Sequence, residues 1–297
     1  MAKTTVLTMR WLAILLLPMV AAVLVLAAGW NERPASESRP YAALPGTAKS
    51  FVGFDRNEYP GDAALPLLRK SFAFTSYWLS APPGEKTNSW TGKRAVLQTQ
   101  GFGFLLLYLG RTSSQLPDKQ ICVDGGLADA QAAGRAARRE GFPEGSVIFL
   151  DVEEGGRFSE GYHAYLQSWA RSLKNEKFQP GIYCSGIAVD EGGGATIISA
   201  DDIQRHIGVS DLVYWVFNDA CPPSPGCSVT DEPPAPSASG VAYASIWQYV
   251  RSPKEKKISR HCRGYANDGN CYAPGDASRQ WFLDMNVATT KDPSAPR

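Results

Sequence analysis

The stretch VIFLDVE, residues 147 to 153, joins a nearly continuous apolar run to two carboxylates. Such a run is typical of a strand in a parallel sheet that is covered on both faces. Successive side chains of a strand point to opposite faces, so Asp151 and Glu153 share one face, while Glu154 points away as a loop residue. The stretch therefore predicts a buried strand that ends in a pair of acids.

Seven further short runs of β type occur along the chain. They are FVGFD (51–55), FAFTSYW (72–78), FGFLLLYLG (102–110), PGIYCSG (180–186), LVYWVFND (212–219), ASIWQYV (244–250) and WFLDMNV (281–287). Helical patterns lie between many of them. The candidate helices are ALPLLRK after Gly61, SWTGKRAVLQTQG from Ser89, residues 126–141, residues 162–178 and SADDIQRHI from Ser199.

Alternating strands and helices predict an α/β fold. Eight strands in one domain of this length predict a (β/α)8 TIM-barrel-like domain over residues 51–290, followed by a C-terminal tail, 291–297. A doubly wound open sheet is the alternative. Its nucleotide-binding versions lose support because neither GxGxxG nor GxxxxGK[ST] occurs.

The N-terminal region differs from the rest. Lys3 and Arg10 precede an uncharged apolar run, residues 11–29, which is the order of an export signal. We expect residues 1–30 to be a cleaved signal peptide or a retained membrane anchor, and the Pro, Ser and Ala-rich stretch 31–50 to be a flexible linker. The protein is therefore predicted to be periplasmic or extracellular, with membrane contact only through an uncleaved N-terminal segment.

Six cysteines in an exported chain favour disulfides. Two pairs are close enough to close small loops, which would replace the last helical connections: Cys221 with Cys227, and Cys262 with Cys271. Cys122 and Cys184 are then a third pair or buried thiols. Neither CxxC nor CxxH spacing occurs, so we expect no metal site of that kind and no cofactor.

The net charge of +1, without a long basic run, predicts no nucleic-acid partner. The three histidines, His163, His206 and His261, show no HExxH spacing or close pairing and are predicted to lie on the surface.

Acids recur at the ends of the predicted strands. Asp55 ends the first run, and Asp284 lies near the end of the last run with Asn286 on the same face. Strands one and eight are neighbours in a closed barrel, so these acids should lie side by side, across the mouth from Asp151 and Glu153. Four carboxylates at one mouth can raise one another's proton affinity, so that one stays protonated as an acid while another stays ionised. Glycosidic bond cleavage needs both forms.

Aromatic and amide side chains near the strand ends are candidate ligand contacts. Sugar rings present apolar CH patches that stack on aromatic faces, and amides donate hydrogen bonds to hydroxyl groups. Core packing is the alternative for each aromatic residue. The candidates are Tyr183, Trp215, Trp247, Gln248, Tyr249 and Asn286.

The strand motifs, taken in order, resemble those of family 25 glycoside hydrolases, the lysozyme-type muramidases. These motifs are GFD (53–55), DVE (151–153), PGIYCSG (180–186), IWQY (246–249) and LDMN (283–286). The segments GFDRNEYPG (53–61), SW with a following G (89, 90 and 92) and DGGLADA (124–130) are similar to the exported bacterial glycoside hydrolase-like domain first catalogued as domain of unknown function 1906. The resemblance spans about residues 51–287.

This resemblance implies a (β/α)8-like barrel that acts on a bacterial cell-wall glycan. Glu153 would be the general acid/base and Asp151 its partner, while Asp55 and Asp284 orient or stabilise the reacting sugar. The family is retaining, through a nucleophile or the substrate's acetamido group, and the residues leave both routes open. The chain departs from the family pattern after Asp55, where Arg56 follows instead of a small hydroxyl residue.

Three functions remain from the sequence. The first is a glycoside hydrolase of peptidoglycan or a related carbohydrate polymer. The second is a catalytically inactive glycan-binding envelope protein. The third is a metal-dependent phosphoester hydrolase whose four carboxylates hold Mg²⁺ or Ca²⁺.

Overall fold

The computed structural model describes residues 50–218, 234–250 and 283–297. They form a closed eight-stranded barrel and a separate two-stranded hairpin. In chain order the strands are β1 (Phe51–Asp55), β2 (Phe74–Trp78), β3 (Gly103–Leu109), β4 (Val147–Asp151), β5 (Gln179–Ser185), the hairpin strands β6 (Ala188–Gly192) and β7 (Ala195–Ile198), then β8 (Val213–Phe217), β9 (Ile246–Val250) and β10 (Asp284–Ala288). Each of the eight predicted strands overlaps a barrel strand, so the barrel prediction is confirmed.

Helices connect the early barrel strands. They are α1 (Leu65–Leu68), α2 (Arg94–Thr99), α3 (Lys119–Arg139), α4 (Glu160–Asn175) and α5 (Ser199–Ile207), with short 3-10 helices at Asp62–Ala64, Ser113–Gln115 and Pro236–Ser239. The two longest begin at side-chain caps: Asp118 accepts a hydrogen bond from the Ile121 N–H at 2.9 Å, and Ser159 accepts one from the Tyr162 N–H at 3.2 Å.

The direction of the last strand is a feature of the barrel that the sequence analysis did not predict. β10 is antiparallel to both of its neighbours, β1 and β9, whereas the other barrel pairs are parallel. The C-terminal end of β9 and the start of β10 therefore lie at the same end of the barrel, and their connection need not return to the opposite end as a parallel crossover must.

The hairpin of β6 and β7 was missed by the sequence analysis. It follows β5 and turns through Gly192, Gly193 and Gly194, all of which have positive φ. The run AVDEGGGATII, residues 188–198, does carry a signal for it, because a glycine-rich turn joins two short polar and apolar stretches.

Two glycines let aromatic rings fill the barrel interior. A Cβ on Gly53 would lie 2.1 Å from the Phe74 ring, and one on Gly181 would lie 2.5 Å from the Phe149 ring. Phe149 in turn meets the buried Trp215 edge to face at 5.7 Å between ring centroids. The glycines of the GFD and PGIYCSG motifs are therefore required by packing.

The DGGLADA segment is part of the packing between α3 and α4. A Cβ on Gly126 would lie 2.4 Å from the Tyr165 carbonyl oxygen, so glycine permits the close approach. Asp129 accepts two hydrogen bonds from Arg111 at 2.8 and 2.9 Å, and a third from the Tyr165 hydroxyl at 2.9 Å. This motif holds the segment after β3 against the two helices.

The C-terminal residues also pack against barrel strands. Asp292 Oδ1 accepts a hydrogen bond from the Phe104 N–H, and Ser294 Oγ accepts one from the Leu106 N–H, both at 2.9 Å. The Val147 N–H donates to the Ser294 carbonyl at 3.0 Å. The chain end thus joins β3 to the start of β4.

Cys122 and Cys184 are free and buried, which confirms the thiol alternative for this pair. The four cysteines of the predicted loop disulfides, the apolar segment 11–29 and most of the linker lie outside the described residues. No helix in the described part of the chain has the length and apolar character needed to cross a membrane.

The prediction that the histidines lie on the surface is wrong for His163, whereas His206 is exposed as predicted. His163 of α4 is buried, and its ring stacks on His206 of α5 with centroids 4.3 Å apart. Packing of α4 against α5 brings together residues that are distant in sequence. His261 lies outside the described residues.

Candidate active site

The four predicted acids are carried by the same end of the barrel. Asp55 is the last residue of β1 and pairs in register with Asp284, the first residue of β10. Asp151 ends β4, which is two residues shorter than predicted. The chain stays paired for one more residue, since the Val152 N–H donates to the Tyr183 carbonyl at 2.9 Å, and Glu153 follows.

Asp55 is held by two amide side chains. Its Oδ1 accepts hydrogen bonds from Asn286 Nδ2 at 2.6 Å and from Gln248 Nε2 at 3.0 Å. Trp215 Nε1 donates to Asn286 Oδ1 at 2.8 Å, and the Tyr183 hydroxyl donates to Gln248 Oε1 at 2.9 Å. These two relays fix both amide orientations, so that their NH₂ groups face Asp55.

Burial raises the pKa of Asp55 to about 6. The hydrogen bonds from Asn286 and Gln248 act in the opposite direction because they stabilise the charged form, while the charge of Glu153 adds to the rise. Asp55 is consequently an oriented carboxylate that takes up a proton only in mildly acidic solution.

Asp151 has a different environment. The residue is buried, and neither carboxyl oxygen has a hydrogen-bond partner among the described residues. Burial, and then the charges of Glu153 and Asp55, hold its pKa well above the ordinary value of 3.8. A carboxyl group of this kind keeps its proton in solutions where an exposed aspartate has lost it.

Glu153 lies in the open part of the mouth. Its side chain is exposed, and its charge acts on both Asp55 and Asp151. Glu154 turns to the loop after β3, where it accepts hydrogen bonds from the N–H and the hydroxyl of Ser113, the first at 2.8 Å. The two adjacent glutamates therefore lie in different environments: Glu153 faces the mouth, and Glu154 binds Ser113 on the loop after β3.

Tyr183 lies within electrostatic reach of the whole acidic set. Burial, and then the charges of Asp55, Asp151, Asp284 and Glu153, raise the pKa of its hydroxyl. The ring packs against Trp215 at 4.6 Å and Phe217 at 5.2 Å between centroids. The structure thus brings the four acids together around one tyrosine at the barrel mouth.

The predicted ligand contacts separate into two groups. Tyr183, Gln248 and Asn286 belong to the network around Asp55, and Trp215 supports that network from a fully buried position. Strand alternation places Trp247 and Tyr249 on the opposite face of β9 from Gln248. Both are buried, and Trp247 Nε1 donates to the Asn218 carbonyl at 3.0 Å, so they pack outside the barrel interior.

Arg56 is a cation at the acidic mouth. Burial lowers the pKa of its guanidinium, and the charges of Glu58 and Asp284 oppose that shift. Its Nη2 lies 3.3 Å from Glu58, while its backbone is held by Ser76 Oγ and by Trp78 Nε1, which donates to the Arg56 carbonyl at 3.1 Å. The sequence analysis missed Ser76 and Trp78, although a serine inside the apolar run FTSYW was a signal.

The acids do not have the arrangement of a metal site. Within the described ranges, one group of three or more His, Cys, Asp or Glu residues has ligand atoms all within 4.8 Å of one another, and it contains none of the four acids. This geometry gives no support to the metal-dependent phosphoester alternative.

The model of one protein family, described as the Rv2525c-like, glycoside hydrolase-like domain, matches residues 81–232, just over half of the 297-residue chain. The match contains β3 to β8 and therefore Asp151, Glu153 and Tyr183. No curated protein matches the sequence.

Solved structures are similar to the chain over most of its length. An uncharacterised B. stearothermophilus protein is 20% identical, with a TM-score of 0.51 over 80% of this chain and 95% of its own. The Mycobacterium tuberculosis Tat-secreted protein Rv2525c is 14% identical, with a TM-score of 0.44 over 84% and 98% of the two chains. A family 25 glycosyl hydrolase of Bacillus anthracis is 12% identical, with a TM-score of 0.44 over 80% and 88%.

Proposed function

The chain belongs to the Rv2525c-like, glycoside hydrolase-like family, and from this membership and its acidic barrel mouth we propose that it hydrolyses glycosidic bonds of a bacterial cell-wall glycan. Peptidoglycan is the expected substrate, because the strand motifs resemble those of the lysozyme-type muramidases.

The observation that carries the proposal is the contrast between Asp151 and Glu153. Asp151 is buried, lacks a hydrogen-bond partner among the described residues and has a raised pKa, whereas Glu153 is exposed beside it. Two carboxyl groups in unlike surroundings can divide the work of proton donor and charged partner. This division supports glycoside hydrolysis rather than a purely structural role for the acids.

Each acid has a role in the proposed reaction. Asp151 and Glu153 share one proton, as the raised pKa of Asp151 beside the exposed Glu153 supports. Glu153, the member of the pair that reaches solvent, passes this proton to the leaving oxygen and, as a charged carboxylate, then takes a proton from the attacking water as general base, which restores the singly protonated pair. Asp55 and Asp284 place negative charge near the oxocarbenium-like transition state. The proposal holds for a carboxylate nucleophile and for substrate assistance alike.

Tyr183 is the proposed contact between the acids and the sugar. It is partly exposed, and its hydroxyl is fixed by Gln248. An apolar sugar face can pack against its ring, while the amides that orient Asp55 supply polar contacts. The reaction is proposed to occur outside the cytoplasm, which the positive and then apolar order of residues 1–29 supports.

The test is the release of reducing ends from purified cell walls by the full chain. Glu153→Gln should lower the rate at least about 100-fold, since general acid–base catalysis contributes about 10²–10⁴-fold. Glu154→Gln is the matched control, because it removes the neighbouring charge while its contact is with Ser113, and it should retain activity. Full activity in Glu153→Gln would contradict the proposal.

A second candidate is glycan binding without turnover, and Arg56 favours it. Its positive charge acts at the mouth close to Asp284, where the resemblance implies a small hydroxyl residue instead. Sedimentation of the wild-type chain with cell-wall sacculi, with no reducing ends formed over a long incubation, would support this candidate over hydrolysis.

A further inference from the structure

A histidine and carboxylate cluster lies between α4 and α5, apart from the acidic mouth. His163 comes from α4, whereas Asp202 and His206 are one turn apart on α5. His163 Nε2 is 2.8 Å from Asp202 Oδ2, and His206 Nδ1 is 3.3 Å from Asp202 Oδ1. The three residues offer ligand atoms that all lie within 4.8 Å of one another.

Asp202 is the centre of this cluster and is incompletely bonded. Its side chain is fully buried, and Oδ2 accepts a hydrogen bond from the Phe158 N–H at 2.9 Å in addition to its contact with His163. Oδ1 has no hydrogen-bond partner among the described residues. A buried carboxylate oxygen in this state is costly unless a further group binds it.

Asp202 is suited to bind a cation. Arg157 already lies near, with Nη1 at 3.7 Å from Oδ1. Its other guanidinium nitrogens bind Glu191 at 2.8 Å each, which draws the arginine toward the β6–β7 hairpin.

We propose that His163, Asp202 and His206 bind one divalent transition-metal ion of the Zn²⁺ type, with Asp202 Oδ1 as the carboxylate ligand. The sequence analysis named no metal ligand among these residues. Two histidine nitrogens and one carboxylate oxygen are a donor set that zinc accepts. Oδ2 remains free to keep the Phe158 hydrogen bond.

The spacing of the donors fits such an ion after small side-chain rotations. Ligands at about 2.0–2.2 Å from a tetrahedral zinc are roughly 3.3 Å from one another. His206 Nδ1 is 3.3 Å from Oδ1, close to that value, and would exchange its 2.8 Å hydrogen bond with the Asp202 carbonyl for the ion. His163 Nε2, which is 2.8 Å from Oδ2, would turn toward the ion at Oδ1, and the ligand atoms of the three residues already lie within 4.8 Å of one another. His206 is partly exposed beside a surface cavity of about 240 Å³, which also contacts Lys119, Glu160 and Gln167 and has room for a water as fourth ligand.

The site is linked to the loop that carries Glu153. Phe158, bound to Asp202, ends that loop, and Ser199 Oγ at the start of α5 donates to the Gly156 carbonyl at 3.0 Å. A metal ion between α4 and α5 would therefore stabilise the attachment of the loop as well as the two helices. The inference does not depend on hydrolysis, because binding is measured without a glycan.

The experiment titrates the chelator-treated full chain with Co²⁺ and Zn²⁺. We expect visible d–d absorption when Co²⁺ binds, displacement of Co²⁺ by Zn²⁺ at one ion per chain, and proton release on binding. Zn²⁺ at about 100 times its dissociation constant should raise the Tm by roughly 5–10 °C.

Single variants locate the site. His163→Gln and His206→Gln should each weaken Zn²⁺ binding by more than the about 10–100-fold that loss of an outer-shell partner costs. His206→Gln is the safer variant for folding because its side chain is 44% exposed. His261→Gln, the remaining histidine of the chain, should bind as the wild type does.

Two results would overturn the proposal. One is the absence of Co²⁺ absorption and of any Zn²⁺-dependent rise in Tm in the wild-type chain. The other is a normal Zn²⁺ affinity in both His163→Gln and His206→Gln, which would assign the ion to other residues. As a control, circular dichroism of each variant checks that it is folded before its Zn²⁺ affinity is compared with that of the wild type.

Discussion

Asp151 is a single position at which burial costs stability. Its carboxyl group is buried without a hydrogen-bond partner in the described part of the chain, an arrangement that costs stability once the group is charged. Asp55, in the same mouth, has two amide donors and a pKa of about 6. The difference between the two aspartates comes from their neighbours and not from their strand positions, since each ends a strand.

The pKa of Asp151 predicts a pH-dependent stability. Between the ordinary pKa of 3.8 and the raised folded value, the unfolded chain has lost this proton and the folded chain has kept it. Stability therefore falls as pH rises through this range, by up to about 1.4 kcal/mol per pH unit. Asp151→Asn should remove that slope and be more stable than the wild type at neutral pH.

The measurement is urea denaturation of both chains from pH 4 to pH 8. The stability difference should shrink toward pH 4, which is close to the ordinary pKa of 3.8, because the unfolded chain then also keeps part of this proton. Glu85→Gln, an exposed position, is the control and should follow the wild type. If the free energies of unfolding of the wild type and of Asp151→Asn changed with pH in parallel, burial would not perturb the pKa of this carboxyl group.

At the scale of elements, β1 and β2 depend on glycine at one point of contact. The ring of Phe74 occupies the space that a Cβ on Gly53 would need. Similarly, Gly126 sets the closeness of α3 and α4. Close contacts between neighbouring elements therefore explain why glycine stands at these two motif positions. The sequence pattern alone does not reveal such contacts.

Gly53→Ala should destabilise the barrel by about 1–3 kcal/mol, because an added methyl group in a packed interior forces side chains or backbone to move. Thermal or urea denaturation measures the loss. Gly155→Ala is the control, since its Cβ would meet Val189 at an ordinary 3.7 Å. Adding Phe74→Leu to Gly53→Ala should cost less than the sum of the single changes, and additive costs would argue against the clash.

At the scale of the whole molecule, residues from the end of the chain complete the barrel wall. Ser294 is buried and bonds to both β3 and β4, through its hydroxyl to Leu106 and through its carbonyl to Val147. The contact with Leu106 joins residues 188 positions apart in the sequence. The C-terminal residues should therefore contribute to global stability rather than act as a free tail.

Ser294→Ala should lower the free energy of unfolding by about 1–3 kcal/mol, because it leaves the buried Leu106 N–H without its acceptor. Chemical denaturation of the full chain is the measurement. Ser114→Ala, on the exposed loop after β3, should change stability by less than about 0.5 kcal/mol. If the two variants lost equal stability, the hydrogen bond between Ser294 and β3 would not contribute to global stability as we expect.

Much of the architecture was predictable because it is local in sequence. Apolar runs and their spacing located all eight barrel strands, and the periodic segments located α3, α4 and α5. Alternation along VIFLD predicted that Asp151 faces inward. The hairpin of β6 and β7 was missed, since its strands are short and exposed and lack an apolar pattern.

Tertiary structure decided the remaining features, each of which depends on partners distant in the sequence. Asp284 does lie beside Asp55, but only because β10 runs antiparallel and begins at the mouth. His163 and Asp202 meet because α4 packs on α5. The sequence by itself determined which segments become strands and which carry acids, because side-chain periodicity is local. Strand direction, burial and pKa values depend on long-range packing, and the folded barrel alone determined them.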